Sequence, residues 1–399
     1  MITNGNAENL KCTKVYEEAY KREPDAVAFC PYRISPLGAH IDHQWGIING
    51  LAIDKGIHIA YGAKKNGVIE LQSVNFPKRA QFHIRAIPPE KVGDWADHLR
   101  GAALMLSESY PLNVGLCGVI EGSLPIGGLS SSAAVIIAFL SALCRVNNIH
   151  LEPLEMIMMA KAAENKYVGV NCGKLDQSCE VLSRKDELLY LDTSNDSYRL
   201  IPTSEKMKPY KIGIFFSGLD RSLKNSKYNL RVDECKSAAY SLLAFAGMDY
   251  GKYADTRLRD VPEEVFNQYK DRLPDNFRKR AEHYYSEIKR AMDGAKYWEE
   301  GNLESYGELV FKSGSSSINN YECGCDELIK LYDILRSTDG IYGARFSGAG
   351  FKGCCMALME PEKEEEIASR VQKEYLKSFP GLEGKYEFHS CVSADGVLL

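Results

Sequence analysis

The alternation of apolar and polar residues divides the chain into recognisable elements. Residues 8–22 carry apolar positions at helical spacing among charges, which predicts an opening amphipathic helix. Ala26 to Tyr32 (AVAFCPY) reads as a strand, and the short alternating stretches over 47–86 predict a meander of strands. A helix is expected over 95–106, a strand over 114–121, and two further helices over 133–146 and 152–169. The stretch 187–216 is strand-rich, and the pattern then turns helical over 228–246, 262–270, 275–299, 303–313 and 324–337. Strands return at 341–347, 354–359 and 387–392. With no repeat period and no low-complexity linker, this order predicts an α+β protein in two units, 1–205 and 206–399. Its site is expected in the cleft between them.

Composition narrows the class. In 399 residues, 45% hydrophobic and 26% charged content is that of an ordinary globular protein, and a net charge of −5 argues against nucleic acid or an anionic membrane as the main partner. The N-terminus shows no apolar secretory core, and the longest apolar run, near Ala133 to Cys144, is too short to span a bilayer. Twelve cysteines include no C-x-x-C pair and sit mostly in apolar contexts, as buried free thiols in a reducing cytoplasm would.

Chemistry concentrates in four stretches. In LPIGGLSSSAA, Pro125, Gly127, Gly128 and Leu129 lead into Ser130, Ser131 and Ser132, and an apolar helix begins at once. Backbone amides and the positive helix end favour a phosphate there, and a serine hydroxyl offers a hard oxygen to Mg²⁺. A lone serine cap is the alternative, but a cap needs one serine rather than three behind a glycine pair. In PYRISPLGAHIDHQ, Arg33, His40 and Asp42 surround a tight bend and suit a fan of sugar hydroxyls; a metal site from His40, Asp42 and His43 lacks a further ligand cluster. In AENKYVGVNCGKLDQ, Glu164 lies near a helix end and Asp176 in a loop after Gly173, so one carboxylate can hold Mg²⁺ with Ser132 while the other accepts a hydroxyl proton. In YGARFSGAGFKGC, Gly348, Gly350 and Gly353 spell a weak dinucleotide fingerprint, but strand-like sequence follows, so a glycine loop backing the phosphate site fits better.

Together, and in chain order, RISPLGAHIDH, PIGGLSSSAA and GARFSGAGFKGC resemble the three signature motifs of the GHMP small-molecule kinases, over nearly the whole chain. The first block is similar to the galactokinase signature, and YNLRVDEC, RAEHYYSE and INNYECG resemble the galacturonokinase branch. The resemblance implies a two-domain GHMP fold, with an N-terminal domain like domain 2 of ribosomal protein S5 and a ferredoxin-like C-terminal domain. It implies ATP and Mg²⁺ as cofactors, and transfer of a phosphoryl group to the anomeric hydroxyl of a sugar. By resemblance Asp176 and Arg33 are catalytic, Glu164 and Ser132 hold the metal, and His40, Asp42, Gly173 and Tyr228 contact the sugar. Pro125 to Ser132, with Gly348 and Gly350, cradle the triphosphate. Galactokinases carry a glutamate before the histidine; here Ala39 stands in its place, removing a charge that would repel a C6 carboxylate. D-galacturonate is therefore the expected substrate, with galactose the alternative and a non-catalytic sugar sensor the remote one. Lys174, beside Asp176, is a candidate partner for that carboxylate. A cytoplasmic monomer or weak homodimer is expected.

Overall fold

The computed structural model describes residues 10–219 and 227–397; residues 8 and 9 of the expected opening helix lie outside them. The first half contains α1 (Lys11–Tyr20), β1 (Ala26–Ile34), β2 (Ile47–Lys64), β3 (Val68–Ser73), β4 (Ala80–His83), α2 (Asp97–Ser109) and β5 (Gly115–Gly122). After these come α3 (Ser131–Asn147), α4 (Pro153–Ala162), α5 (Leu175–Leu182), β6 (Glu187–Asp192) and β7 (Ser197–Pro202). The strands run β4-β3-β5-β2-β6-β7, with β1 also paired to β2. This corrects the meander expected over 47–86: β5 enters between β2 and β3 and lies parallel to β3. Alternation shows which face of a strand is buried, not which strand lies beside it.

Both faces of β2 are covered, so its residues are buried along most of its length. On one side Cys12 and Tyr16 of α1 pack with Ala60, Cys117 and Val119. On the other, α3 supplies Ile136, Ile137, Phe139 and Leu140, all fully buried, as a helix apolar on most sides must be.

The second half runs β8 (Lys211–Phe216), α6 (Tyr228–Phe245), α7 (Glu263–Tyr269), α8 (Asp275–Glu300), α9 (Leu303–Asn319), α10 (Asp326–Arg336), β9 (Ile341–Phe346), β10 (Cys354–Met359), α11 (Glu364–Ser378) and β11 (Glu387–Cys391). Its antiparallel order, β11-β8-β10-β9, is that of a ferredoxin-like split βαβ sheet. Alternate residues of β8 serve different cores. Ile212, Ile214 and Phe216 join the core of the first half, and Phe215 faces the core under α10 and α11. The last strand, β12 (Ser393–Ala394), returns to pair with β2. Two helices were not apparent from sequence: α5, only eight residues long, and α11, whose apolar positions Ile367, Val371 and Tyr375 stand among charges. Among the described residues no helix is long and apolar enough to cross a membrane.

Candidate active site

Segments from both halves meet at a cleft of about 400 Å³. The first half contributes Arg33, Ala39, His40 and Asp42 from the turn after β1, Gly128, Ser130 and Ser132 from the serine loop, and Glu164, Gly173 and Asp176. From the second half come Tyr228 at the start of α6 and Phe346 and Gly348 beyond β9.

The serine loop takes a backbone that most residues avoid. Gly127 and Gly128 have φ of 139° and 87°, and Ser130, at φ 58°, is left-handed immediately before α3. The Ser130 side chain makes no capping bond, so the loop is not a plain serine cap. The glycine loop backs onto it: a Cβ at Gly348 would stand 2.9 Å from the Gly128 backbone, and one at Gly353 2.8 Å from Gly127. Pro125, Gly127, Leu129, Ser131 and Gly350 are outside the lining of the cleft; Leu129 is anchored in the core, and Gly350 turns at φ 74° against Cys323.

Across the cleft, Arg33 Nε and Nη2 reach Asp176 Oδ1 at 2.8 and 2.7 Å, and Nη1 donates to the Gly128 carbonyl at 3.1 Å. Asp176 is not in a loop, as its glycine-rich approach suggested, but in the first turn of α5, whose amide end faces the cleft. Glu164 lies near a helix end, as expected, but on a turn that is not α-helical. Helix α4 stops at Ala162 and continues as a π-helical turn, Ala163–Val168, a local distortion common at functional sites. This turn carries Glu164 inward, where Gln177 Nε2 donates to it at 2.5 Å and Ser132 also bonds to it. Burial, reinforced by the charge of Asp176, pushes the Glu164 carboxyl up to about 7. Asp42 is pushed up to about 6 by burial and by Asp176, against the pull of the Leu175 amide, which donates to its Oδ2 at 3.1 Å.

The chain that builds this cleft is similar to known proteins. The GHMP kinases N terminal domain profile matches residues 97–184 and the GHMP kinases C terminal profile residues 294–377. The chain is 41% identical to the galacturonokinase of Arabidopsis thaliana, over 89% of this chain and 88% of that one. The chain belongs to the GHMP kinases. A galactokinase of Pyrococcus furiosus is 31% identical, over 92% of this chain and 97% of its own length. Among solved structures, Lactococcus lactis galactokinase complexed with galactose superposes with a TM-score of 0.87 at 27% identity, covering 96% of this chain and 97% of that one. This GHMP kinase is accordingly an ATP-dependent phosphotransferase.

Of the candidates for contact with the sugar, Lys174 is not brought to the kinase's cleft. Lys174 forms a salt bridge with Asp196 and lines a neighbouring cavity, although Asp176 is two residues away. Position 174 precedes α5, and a helical step between the two residues turns their side chains to different sides.

Sequence reasoning missed the support behind the sugar turn. His283 and Glu287 lie one turn apart on α8, a polar pair on a buried helical face, and that spacing was the available signal. His283 Nε2 meets the Ala39 carbonyl at 3.0 Å, and Glu287 Oε1 accepts from the Gly38 amide at 2.8 Å and from Ser313 at 2.6 Å. His40, held left-handed at φ 64°, stacks on Tyr321 with ring centroids 4.4 Å apart. Burial holds His40 neutral, well below the usual histidine range. His283 carried no assigned role in the sequence; here it fixes the backbone of the turn that presents Ala39 and His40.

Proposed function

We propose that this kinase transfers the γ-phosphoryl group of ATP to the anomeric hydroxyl of D-galacturonate, giving galacturonate 1-phosphate and ADP. The observation that carries the choice of sugar is Ala39. It stands in the cleft wall beside His40 with a methyl where an acidic side chain would add charge to a site already holding Asp42, Glu164 and Asp176. A sugar carboxylate would be strongly repelled by a further carboxylate about 4 Å away. The likeness to the Arabidopsis galacturonokinase supports the same substrate.

In the proposed reaction the sugar C1 oxygen attacks the γ-phosphorus and the bond to the β-phosphate oxygen breaks. Asp176 accepts the hydroxyl proton or orients the C1 oxygen for attack. Arg33, already bonded to Asp176 and to the loop carbonyl at Gly128, stabilises charge between the attacking oxygen and the phosphoryl group. The serine loop holds the phosphates by its backbone amides and hydroxyls. His40, Asp42, Gly173 and Tyr228 hold the sugar.

Glu164 and Ser132 fit Mg²⁺ by their donor chemistry. They are adjacent hard-oxygen groups, and the buried Glu164 carboxyl faces the charge of Asp176. Among the described residues no group of three acidic, histidine or cysteine side chains could hold a metal by itself, which suits an ion that arrives with the nucleotide phosphates. Bound there, Mg²⁺ would neutralise phosphate charge. Residues 1–205 would carry the nucleotide and most of the sugar, and 206–399 would close the cleft through Tyr228 and the glycine loop.

The test is ADP release with Mg-ATP and galacturonate, glucuronate or galactose at equal concentration. Strong preference for galacturonate is expected. Preference for galactose would discard the argument from Ala39, and sugar binding without turnover would make the protein a sensor.

A further inference from the structure

A second cavity, of about 290 Å³, adjoins the cleft behind the wall formed by Asp42, Cys172 and Gly173, which line both. Four cationic side chains converge on it: Lys161, Lys174, Lys236 and Arg257. Only Lys174 is neutralised by a salt bridge, to Asp196; among the described residues the other three form none. Arg257 spends Nη1 on the carbonyls of Ala254 and Thr256, and its Nε is buried without a hydrogen-bond partner. The guanidinium lies over the Trp45 ring, 5.3 Å from its centroid, and both residues line the cavity. Burial lowers the affinity of Lys236 and Arg257 for their protons, and the charge of Arg257 adds to the effect on Lys236; Asp233, Asp255 and Asp260 oppose these shifts without reversing them, and both cations also act on buried His43. Three cations without salt bridges therefore share one concave site, in which Lys236 and Arg257 are partly desolvated. Cations desolvated in this way, with no salt-bridge partner, are relieved by an anion.

We propose that this cavity is a binding site for a small phosphate-bearing ligand, held by Lys161, Lys236 and Arg257, distinct from the nucleotide and sugar cleft. A dianionic phosphate matches three cations without salt-bridge partners better than a single carboxylate, and the volume accommodates a molecule of sugar phosphate size. Such a ligand sits on the far side of Asp42 from the sugar. The inference does not depend on which sugar the kinase phosphorylates.

The experiment is calorimetric titration at fixed ionic strength with inorganic phosphate and, separately, glucose 6-phosphate. A saturating non-hydrolysable ATP analogue keeps the phosphate cradle filled. One equivalent is expected to bind to the wild-type protein, and at least tenfold more weakly to the Lys236→Gln/Arg257→Gln variant, whose retained sugar phosphorylation shows that it is folded. Tighter binding of glucose 6-phosphate than of phosphate would point to a phosphorylated metabolite, and the reverse to free phosphate. No binding to wild-type protein, or equal affinity in the double variant, would overturn the proposal. So would unchanged phosphate binding with a raised KM for galacturonate, which would give these cations to the sugar's own carboxylate.

Discussion

Arg33 and Asp176 are bonded through two guanidinium nitrogens to a single carboxylate oxygen, Oδ1, while the third nitrogen reaches the Gly128 carbonyl. One side chain thus ties the carboxylate proposed to act on the sugar hydroxyl to the loop proposed to hold the phosphates, and leaves Oδ2 outside the pair. Arg33→Lys cannot reproduce this fork, since an ammonium is a point donor. A fall in kcat of roughly 10²–10³ is expected, the size seen when one donor to developing charge is lost. Steady-state kinetics in ATP would show it.

Asp176→Ala is expected to lower kcat by about 10²–10⁴, the range for a general base, while sugar binding measured by calorimetry stays within a few-fold of wild type. Near-normal turnover would remove Asp176 from the mechanism.

Ala39→Glu adds a carboxylate to the cleft wall. At about 4 Å and an effective dielectric near 20, like charges cost about 4 kcal/mol, so kcat/KM for galacturonate should fall by roughly two to three orders of magnitude. Use of galactose should be spared or raised. An unchanged ratio between the two sugars would sink the argument from this residue.

Gly173 has no room for a side chain: a Cβ there would overlap the Asp42 carboxylate and the backbone carbon of that residue, 2.7 Å away. Gly173→Ala should raise the sugar KM at least tenfold by displacing Asp42, with the ATP KM nearly unchanged. Equal effects on both substrates would show a general disturbance instead.

Three buried histidines should cost stability as the solution is acidified. Burial lowers His40, and lowers His43 to about 3 and His283 to about 4. Each takes up its proton more readily when unfolded, so stability is full above about pH 6.5 and declines as pH falls toward 4. Asp42 and Glu164, raised to about 6 and about 7, work in the opposite direction over the same window, so the histidine contribution is read as a difference: between pH 7 and 4 the urea midpoint of His283→Gln should lose less than that of the wild type. Glu287 acts lower down. Burial opposes its charge, but Arg290, His283 and Arg345 outweigh it and bring the carboxyl to about 2, so its contribution is present above about pH 4.5 and fades below.

Much of the protein was legible in the chain itself. The serine loop, the Arg33-to-Asp42 turn and the glycine loop announced themselves because glycines and small polar residues are needed wherever backbone must turn left-handed or approach a ligand. Long periodic segments such as α3 and α8 were equally plain, since a helix that buries one face must repeat its apolar residues. Helices α5 and α11 were hidden, one by its shortness and the other by its charges.

What the sequence could not decide is what depends on pairing at a distance. Insertion of β5 between β2 and β3, return of β12 to β2, and the π-helical turn that aims Glu164 leave no local period. Nor does sequence distance separate Lys174 from Asp176, two residues apart yet facing different cavities. The clamp of His283 and Glu287 on Gly38 and Ala39 joins positions about 250 residues apart. Local spacing fixes which residues carry chemistry, because backbone geometry and side-chain type are properties of short stretches. Only the folded chain decides which of them share a charge, a wall or a cavity, because those are set by packing between elements.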